Sequence, residues 1–276
     1  DLEEFGDERN SFLTEADEAK AFDEKELISN DPMTIVLSEK GWIRAAKGHD
    51  IDVESLQYRE GDSYLSSALA RNSQNSVVLD NFGKAYTLPV HQLPSARGQG
   101  DPVSGKINAQ SGATFSGVIA GPEDSLAVLA SELGYGFVAN LGDLQTKNKS
   151  GKAALNAKGS KPITPKYLSS LEETYIAAIS KEGKMLIIES SELPVLSKGK
   201  GNKIISIDKK KYEAKEDKLK FVITFCKGNS LKLYSGKQHY VIKPNDLENF
   251  VGTRGRKGNF LPKGYRKVEK VEVISE

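Results

Sequence analysis

The chain has 276 residues, of which 38% are hydrophobic and 28% charged, with a formal net charge of +1. That apolar share supports a sizeable core and excludes global disorder. Runs such as Leu126–Ala130 and Tyr175–Ile179 hold five apolar residues, far short of the roughly 18–20 that a membrane-spanning helix needs, so no membrane insertion is expected.

The near-neutral balance conceals a gradient. Residues 1–31 carry 3 basic and 12 acidic side chains, residues 32–144 carry 8 and 12, and residues 145–276 carry 28 and 14. An asymmetry of this size points to an anionic partner for the carboxy-terminal half. The single cysteine, Cys226, excludes an internal disulfide and fits a reducing cytosol. Within Phe221–Cys226 it reads as a small buried hydrophobe. No charged–apolar–small leader opens the chain, and Asp1 in place of Met suggests a fragment or a processed form.

In chain order, residues 1–31 read as an acidic connector with some helical propensity in Glu15–Phe22. From Met33 the pattern changes to strands. Thr34–Leu37 and Trp42–Ala45 flank a first turn, Ser38-Glu39-Lys40-Gly41, and Trp42 reads as a core anchor. Val77–Leu79 and Lys84–Leu88 flank Asp80-Asn81-Phe82-Gly83. Leu126–Ala130 and Gly136–Ala139 flank Ser131-Glu132-Leu133-Gly134, and Tyr175–Ile179 and Lys184–Ile188 flank Ser180-Lys181-Glu182-Gly183. A degenerate fifth copy stands at Tyr234-Ser235-Gly236. The opening Ser or Asp can accept a backbone N–H, and the closing Gly reaches φ > 0 without Cβ strain, so each copy predicts a β-hairpin. Asp50-Ile51, Gln92-Leu93, Asp143-Leu144, Glu192-Leu193 and Asp246-Leu247 recur ten or eleven residues after the glycines. The expected linkers are Arg71–Asn75, Gly117–Asp124, Lys158–Glu173 and Asp208–Lys218, the last a charged and mobile insertion.

Five strand-rich copies at a period of roughly 40–50 residues predict an all-β, propeller-like array of one sheet per repeat. After the connector, a single ring over 32–276 is expected, with blades at about 33–72, 76–116, 124–157, 174–207 and 219–275. Each repeat closes on a glycine-rich basic loop: Ser95–Gly100, Lys147–Lys152, Ser197–Lys203 and Thr253–Gly258, with a weaker copy around Lys47-Gly48 and Arg59–Gly61. Glycine lets a backbone approach phosphate, lysine supplies charge and arginine a bidentate fork. The loop glycines Gly98, Gly151, Gly199 and Gly255 lie fifteen, seventeen, sixteen and nineteen residues after the turn glycines. A ring would set such loops at one height on successive blades, as a curved polyanion requires. The candidate contacts are Arg97, Lys147, Lys149, Lys152, Lys198, Lys200, Lys203, Arg254, Arg256 and Lys257.

Catalytic signatures are missing. There is no G-x-x-x-x-G-K-[ST] loop and no G-x-S-x-G elbow, and His49, His91 and His239 lack ligand spacing. No catalytic or metal residue is assigned. A protein-interaction propeller with a basic edge for an acidic partner, the segment 1–31 included, is the competing reading. A hydrolytic propeller is a more distant one.

The stretch Ile35–Asp52, with Leu93–Gly100, Leu196–Ile205 and Gly252–Gly258, resembles the carboxy-terminal domain of the A subunit of bacterial DNA topoisomerase IV, a type IIA topoisomerase. Glu4–Arg9 is similar to that family's junction with its breakage–reunion core. The resemblance implies a five-bladed β-pinwheel with strands exchanged between blades and double-stranded DNA bent around its outer edge. It further implies a holoenzyme whose two A subunits dimerise through the upstream core, with ATP hydrolysis supplied by the ATPase B subunits. ATP and Mg²⁺ act there, no cofactor is expected in this segment, and the setting is cytoplasmic and chromosome-associated. The related domain of the gyrase A subunit usually has six blades and a Gln-Arg-Arg-Gly-Gly-Lys-Gly box, which this chain lacks.

Overall fold

Each repeat is built on its turn. In the computed structural model, which describes residues 27–275, Trp42 N donates to Ser38 Oγ at 3.0 Å and Lys184 N to Ser180 Oγ at 3.2 Å. Phe82 N and Lys84 N both donate to Asp80 Oδ1 at 2.9 Å. These side chains are buried, so these three turns carry their own acceptor inside the protein, where an unmade bond is costly; in the third repeat Ser131 Oγ instead donates to Tyr135 O at 3.5 Å. The expected connector over residues 1–26 lies outside the described residues.

The first repeat forms β1 (Pro32–Ser38), β2 (Trp42–Lys47) and β3 (Tyr64–Arg71). The second forms β4 (Asn75–Asp80), β5 (Lys84–Pro89), the two-residue β6 (Asp101–Pro102) and β7 (Phe115–Gly121). The third forms β8 (Leu126–Ala130), β9 (Tyr135–Asn140), β10 (Lys152–Ala153) and β11 (Lys166–Leu168). The fourth forms β12 (Thr174–Ser180), β13 (Lys184–Glu189), β14 (Asn202–Lys203) and β15 (Leu219–Cys226). The fifth forms β16 (Ser230–Ser235), β17 (Gln238–Ile242), β18 (Asn259–Phe260) and β19 (Lys270–Ile274). Its hairpin is tighter than the others: Ser235 pairs with Gln238, leaving Gly236 and Lys237 at the tip.

The sheets do not coincide with the repeats. Their strand orders are β3-β1-β2-β6, β10-β5-β4-β7, β11-β8-β9-β14, β15-β12-β13-β18 and β17-β16-β19, here called sheets I to V. Each two-residue strand completes the sheet of the repeat before it. The chain then seats on the hairpin glycine of that sheet. Val103 N donates to Gly41 O at 2.9 Å, Leu155 N to Gly83 O at 2.9 Å, Ile204 N to Gly134 O at 2.7 Å and Leu261 N to Gly183 O at 2.9 Å. Sheet V has no fourth strand among the described residues.

The hairpin strands are apolar at successive positions, and because successive side chains point to opposite faces, both faces of the inner sheets are buried. Ile35, Leu37 and Ile43 of sheet I pack with Val78, Tyr86 and Leu88 of sheet II. Val77 and Leu79 of sheet II pack with Leu129 and Phe137 of sheet III. Val128 and Val138 of sheet III meet Ile176 and Ile188 of sheet IV, and Ile179 and Ile187 of sheet IV meet Leu231 and Leu233 of sheet V. The four clusters are four junctions of a five-blade arc. Between blades five and one the described link is ionic: Lys270 Nζ lies 2.7 Å from Glu54 and 3.0 Å from Glu272.

Four expectations change. Gly117–Asp124 is not wholly linker, because Gly117–Gly121 belongs to β7, paired with β4. Lys158–Glu173 likewise contains β11, paired with β8. Cys226 is exposed, since it ends β15 beside the turn and its backbone N–H is taken by Asn229 Oδ1. The insertion Asp208–Lys218 is ordered. Asp208 caps the short helix Lys209–Glu213 by accepting from Lys210 N and Lys211 N. Tyr212 OH donates to Glu132 Oε2 at 2.8 Å, Lys218 Nζ lies 2.7 Å from Glu132 Oε1, and Lys211 pairs with Glu182. The insertion therefore ties the hairpin turns of repeats three and four together.

Two tests follow from these contacts. Ile176→Ala, at a fully buried site, is expected to cost about 2–5 kcal/mol in urea unfolding, whereas Glu54→Gln, in a half-exposed pair, leaves the midpoint nearly unchanged. The Glu182 carboxyl is held below its ordinary range, foremost by the hydrogen bond from Lys211. A depressed carboxyl contributes stability above its unfolded value and loses it as pH falls through the lowered folded value. Hydrogen-exchange protection factors over 208–218, which allow for the intrinsic slowing of exchange in acid, should therefore fall on acidification below about pH 4.5, ahead of those in the β12–β13 hairpin.

Candidate nucleic-acid interface

The basic loops all precede the exchanged strands, and this fixes where they stand. Each is first anchored on the second hairpin strand of the preceding blade. Ala45 N donates to Pro94 O and Ala96 N to Ala45 O, at 2.8 and 2.9 Å. Thr146 N donates to Thr87 Oγ1 at 2.8 Å. Val138 N donates to Pro194 O at 2.9 Å, and Gly252 N to Ile187 O at 3.0 Å. Four loops thus sit at matching places on four sheets.

The loops are also bonded to one another in series. Asn108 N, just past the repeat-two loop, donates to Lys149 O at 2.8 Å. Gly199 N donates to Ala154 O at 2.9 Å and Asn156 N to Gly199 O at 2.8 Å. Gly255 N donates to Ile204 O at 2.8 Å and Ser206 N to Arg256 O at 2.9 Å. Each loop therefore rests on the segment leaving the previous one, and the four form a continuous belt. At the opposite sheet edge neighbouring blades touch directly, as where Ser66 of β3 bonds Val118 of β7 and Thr224 of β15 bonds Tyr167 of β11. At the belt edge the exchanged strand and its loop span the gap between neighbouring sheets.

The ten candidate cations fall into two groups. Arg97, Lys147, Lys149, Lys198, Arg256 and Lys257 are exposed. Lys152, Lys200, Lys203 and Arg254 are half-buried and engaged. Lys152 Nζ donates to Asp143 O at 2.6 Å, and Arg254 Nη1 to Lys203 O at 2.9 Å. Lys200 and Lys203 lie over the Tyr135 ring at 4.3 and 5.6 Å. Among the described residues none of the ten is in a salt bridge. A cleft of about 760 Å³ opens beside Lys147 and Lys149, lined also by Gln92, Lys106 and Gln145.

The glycines that let these loops pass close to a strand are not all the ones the spacing selects. Gly201, at φ +75°, would put a Cβ 2.0 Å from Gly136 O. Gly100, Gly151 and Gly258 occupy the corresponding places against Ile43, Ala85 and Met185. Only Gly151 is common to both sets. Spacing picks the wrong glycine elsewhere because the other three loops hold two glycines two or three residues apart.

Sequence reasoning also missed the aromatic partners. Tyr135 follows its turn glycine directly, as Trp42 does. Trp42 is half-buried and lies 4.0 Å beneath the Arg59 guanidinium, so it is a cation platform. The first repeat stands outside the belt. Its residues 49–63 include Asp50, Asp52, Glu54, Glu60 and Asp62 and fold back over their own sheet. His49 Nε2 lies 2.9 Å from Ala70 O, and Lys40 N donates to Asp62 Oδ1 at 2.9 Å. Among the described residues no three His, Cys, Asp or Glu side chains converge as metal ligands do, and no helix is long and apolar enough to cross a membrane.

This belt-bearing ring of exchanged sheets is a five-bladed, propeller-like wheel, and known proteins share it. Residues 126–159 and 174–225 match the family model described as DNA gyrase C-terminal domain, beta-propeller. The chain is similar to the solved E. coli ParC C-terminal domain, with TM-score 0.75 and 37% identity, covering 89% of this chain and 100% of that one. A DNA gyrase A C-terminal domain structure shares the fold at TM-score 0.65 and 14% identity, over 89% of this chain and 84% of that one. The DNA topoisomerase 4 A subunit of Pseudomonas aeruginosa is 44% identical over 274 residues, 99% of this chain and 36% of that protein. The chain belongs to the family of carboxy-terminal domains of the DNA topoisomerase IV A subunit. It spans a little over a third of the length of the curated relatives that it matches.

Gly201→Ala should be destabilising by on the order of 2–3 kcal/mol, from the left-handed backbone plus the clash with Gly136 O. Gly98→Ala, where φ is ordinary and the nearest atom is 3.9 Å away, should shift the thermal midpoint little.

Proposed function

We propose that this chain is the DNA-binding and DNA-bending part of a bacterial topoisomerase IV, holding the transported duplex segment for ATP-dependent decatenation and relaxation. The observation that carries the reading is the belt: four basic glycine loops, bonded in series along one edge of a curved array. Residues 1–31 are, on this reading, the connector from the upstream core, and 32–276 the DNA-binding wheel. The dimer contact of the A subunits, the ATPase B subunit, and the sites for ATP and Mg²⁺ lie outside this chain. The setting is the cytoplasm, on the chromosome.

The mechanism is electrostatic. Arg97, Lys147, Lys149, Lys198, Arg256 and Lys257 meet phosphates and release condensed counterions. Lys152 and Arg254 hold backbone carbonyls, Lys200 and Lys203 rest on Tyr135, and all four supply charge from behind. Contacts of this kind position the duplex without reading bases, so sequence preference is low. Bending a short duplex by 40–90° costs on the order of 1–6 kcal/mol, which explains why the cations are distributed over several blades.

Mobility-shift titrations on random-sequence duplexes of increasing length test the proposal. Affinity should climb with length until the belt is spanned and should fall with salt by about 0.9 log unit per log unit for each phosphate neutralised. Lys198→Glu with Arg256→Glu and Lys257→Glu should flatten that slope by about three such increments. An unchanged slope in the triple variant would rule out these loops as the contact.

A further inference from the structure

The basic loops of repeats three, four and five are each held by backbone bonds to the segment leaving the preceding repeat's loop. Among the described residues the loop of repeat two has no such neighbour, because the first repeat donates no strand there. A side chain stands in that place. Arg44 of β2 is 3% exposed, and its Nη1 donates to Gly98 O at 2.8 Å. Its guanidinium lies 4.8 Å from the Tyr58 ring centre. Tyr58 is itself fixed through its OH, which donates to Val53 O at 2.6 Å.

Arg44 is a costly filler. Among the described residues no carboxylate pairs with it, and its Nη2 is the single buried side-chain N or O atom without a hydrogen-bond partner. An unsatisfied buried donor weakens the fold, and an apolar side chain of similar volume often replaces a buried charge at no loss. What an apolar side chain cannot do is grip the Gly98 carbonyl, next to the exposed Arg97.

We infer that Arg44 is a positioning residue for the phosphate contact at Arg97: its fork and its stacking on Tyr58 fix the repeat-two loop so that Arg97 extends the belt formed by the other three loops. The inference rests on the DNA reading above. Arg44 is buried and does not touch the duplex. Lysine lacks both the planar fork and the stacking face, so it does not substitute.

The test compares Arg44→Met, Arg44→Lys, Tyr58→Leu and Arg97→Ala, together with Arg44→Met combined with Arg97→Ala. Three measurements are made on each: the thermal midpoint, the rate of trypsin cleavage after Arg97 without DNA, and affinity for a linear duplex at several salt concentrations. Arg44→Met should keep or raise the midpoint while cleavage after Arg97 accelerates several-fold. It should also lose most of the several-fold affinity that Arg97→Ala loses, and the double variant should bind no worse than the weaker single. Arg44→Lys and Tyr58→Leu should follow it in cleavage and affinity. Unchanged cleavage, or an Arg97→Ala effect of equal size with Arg44 and with Met at that position, overturns the inference. If Arg97→Ala alone leaves affinity and salt slope unchanged, the DNA assignment of this loop fails and takes the inference with it, while the cleavage rate still reports whether Arg44 braces the loop.

Discussion

The whole arrangement depends on one backbone contact, the hairpin glycine carbonyl that receives the N–H following an exchanged strand. It is made at Gly41, Gly83, Gly134 and Gly183. All four glycines have left-handed φ, and at three of them another stretch of backbone passes close: a Cβ would lie 1.8 Å from Leu155 O at Gly83, 2.3 Å from Ile205 O at Gly134 and 2.6 Å from Arg266 Cα at Gly183. The Ser or Asp that opens the turn holds it in the required shape, and the apolar alternation on either side fills the junctions. Sheet completion, blade spacing and loop placement all follow from this seat.

The same contact separates structural from electrostatic work. The loop reaches the seat past the second hairpin strand, so its glycines are consumed by close approach while Arg97, Lys147, Lys149, Lys198, Arg256 and Lys257 stay exposed. That is why Lys200 and Lys203 lie along Tyr135 while Lys198 projects freely. The first repeat is the exception that clarifies the rule. With no preceding sheet to complete among the described residues, its closing segment folds onto Trp42 and Arg44 and carries carboxylates where the other copies carry basic side chains. The charge path therefore runs along sheets I to IV, on which the loops of repeats two to five are anchored.

How legible this was depended on the range of the interactions. The hairpins were plain in the sequence because turn chemistry is local: Ser38, Asp80, Ser131 and Ser180 each fix a turn within four residues. The strands β7 and β11 were hidden, since Phe115–Gly121 has glycines at both ends of a short apolar core and Lys166–Leu168 is only three residues long. The insertion Asp208–Lys218 looked mobile from its charge alone. Its order comes from Glu132 and Glu182, on turns about 80 and 29 residues away, which composition cannot reveal. The candidate cations were readable as types, but which of them are tethered depends on Tyr135, Asp143 and the Lys203 carbonyl, and these meet the loops only after exchange.

The direction of the exchange has a consequence for the order of synthesis. Each of sheets I to IV borrows its last strand from residues translated later, so on a ribosome none of these four blades can finish until most of the next repeat has emerged. Assembly trails elongation by one repeat from the first sheet to the fourth, and the half-made blade at the growing end offers an open edge that only its successor fits. Among the described residues the fifth repeat lends a strand and receives none, so its own sheet stands at three strands.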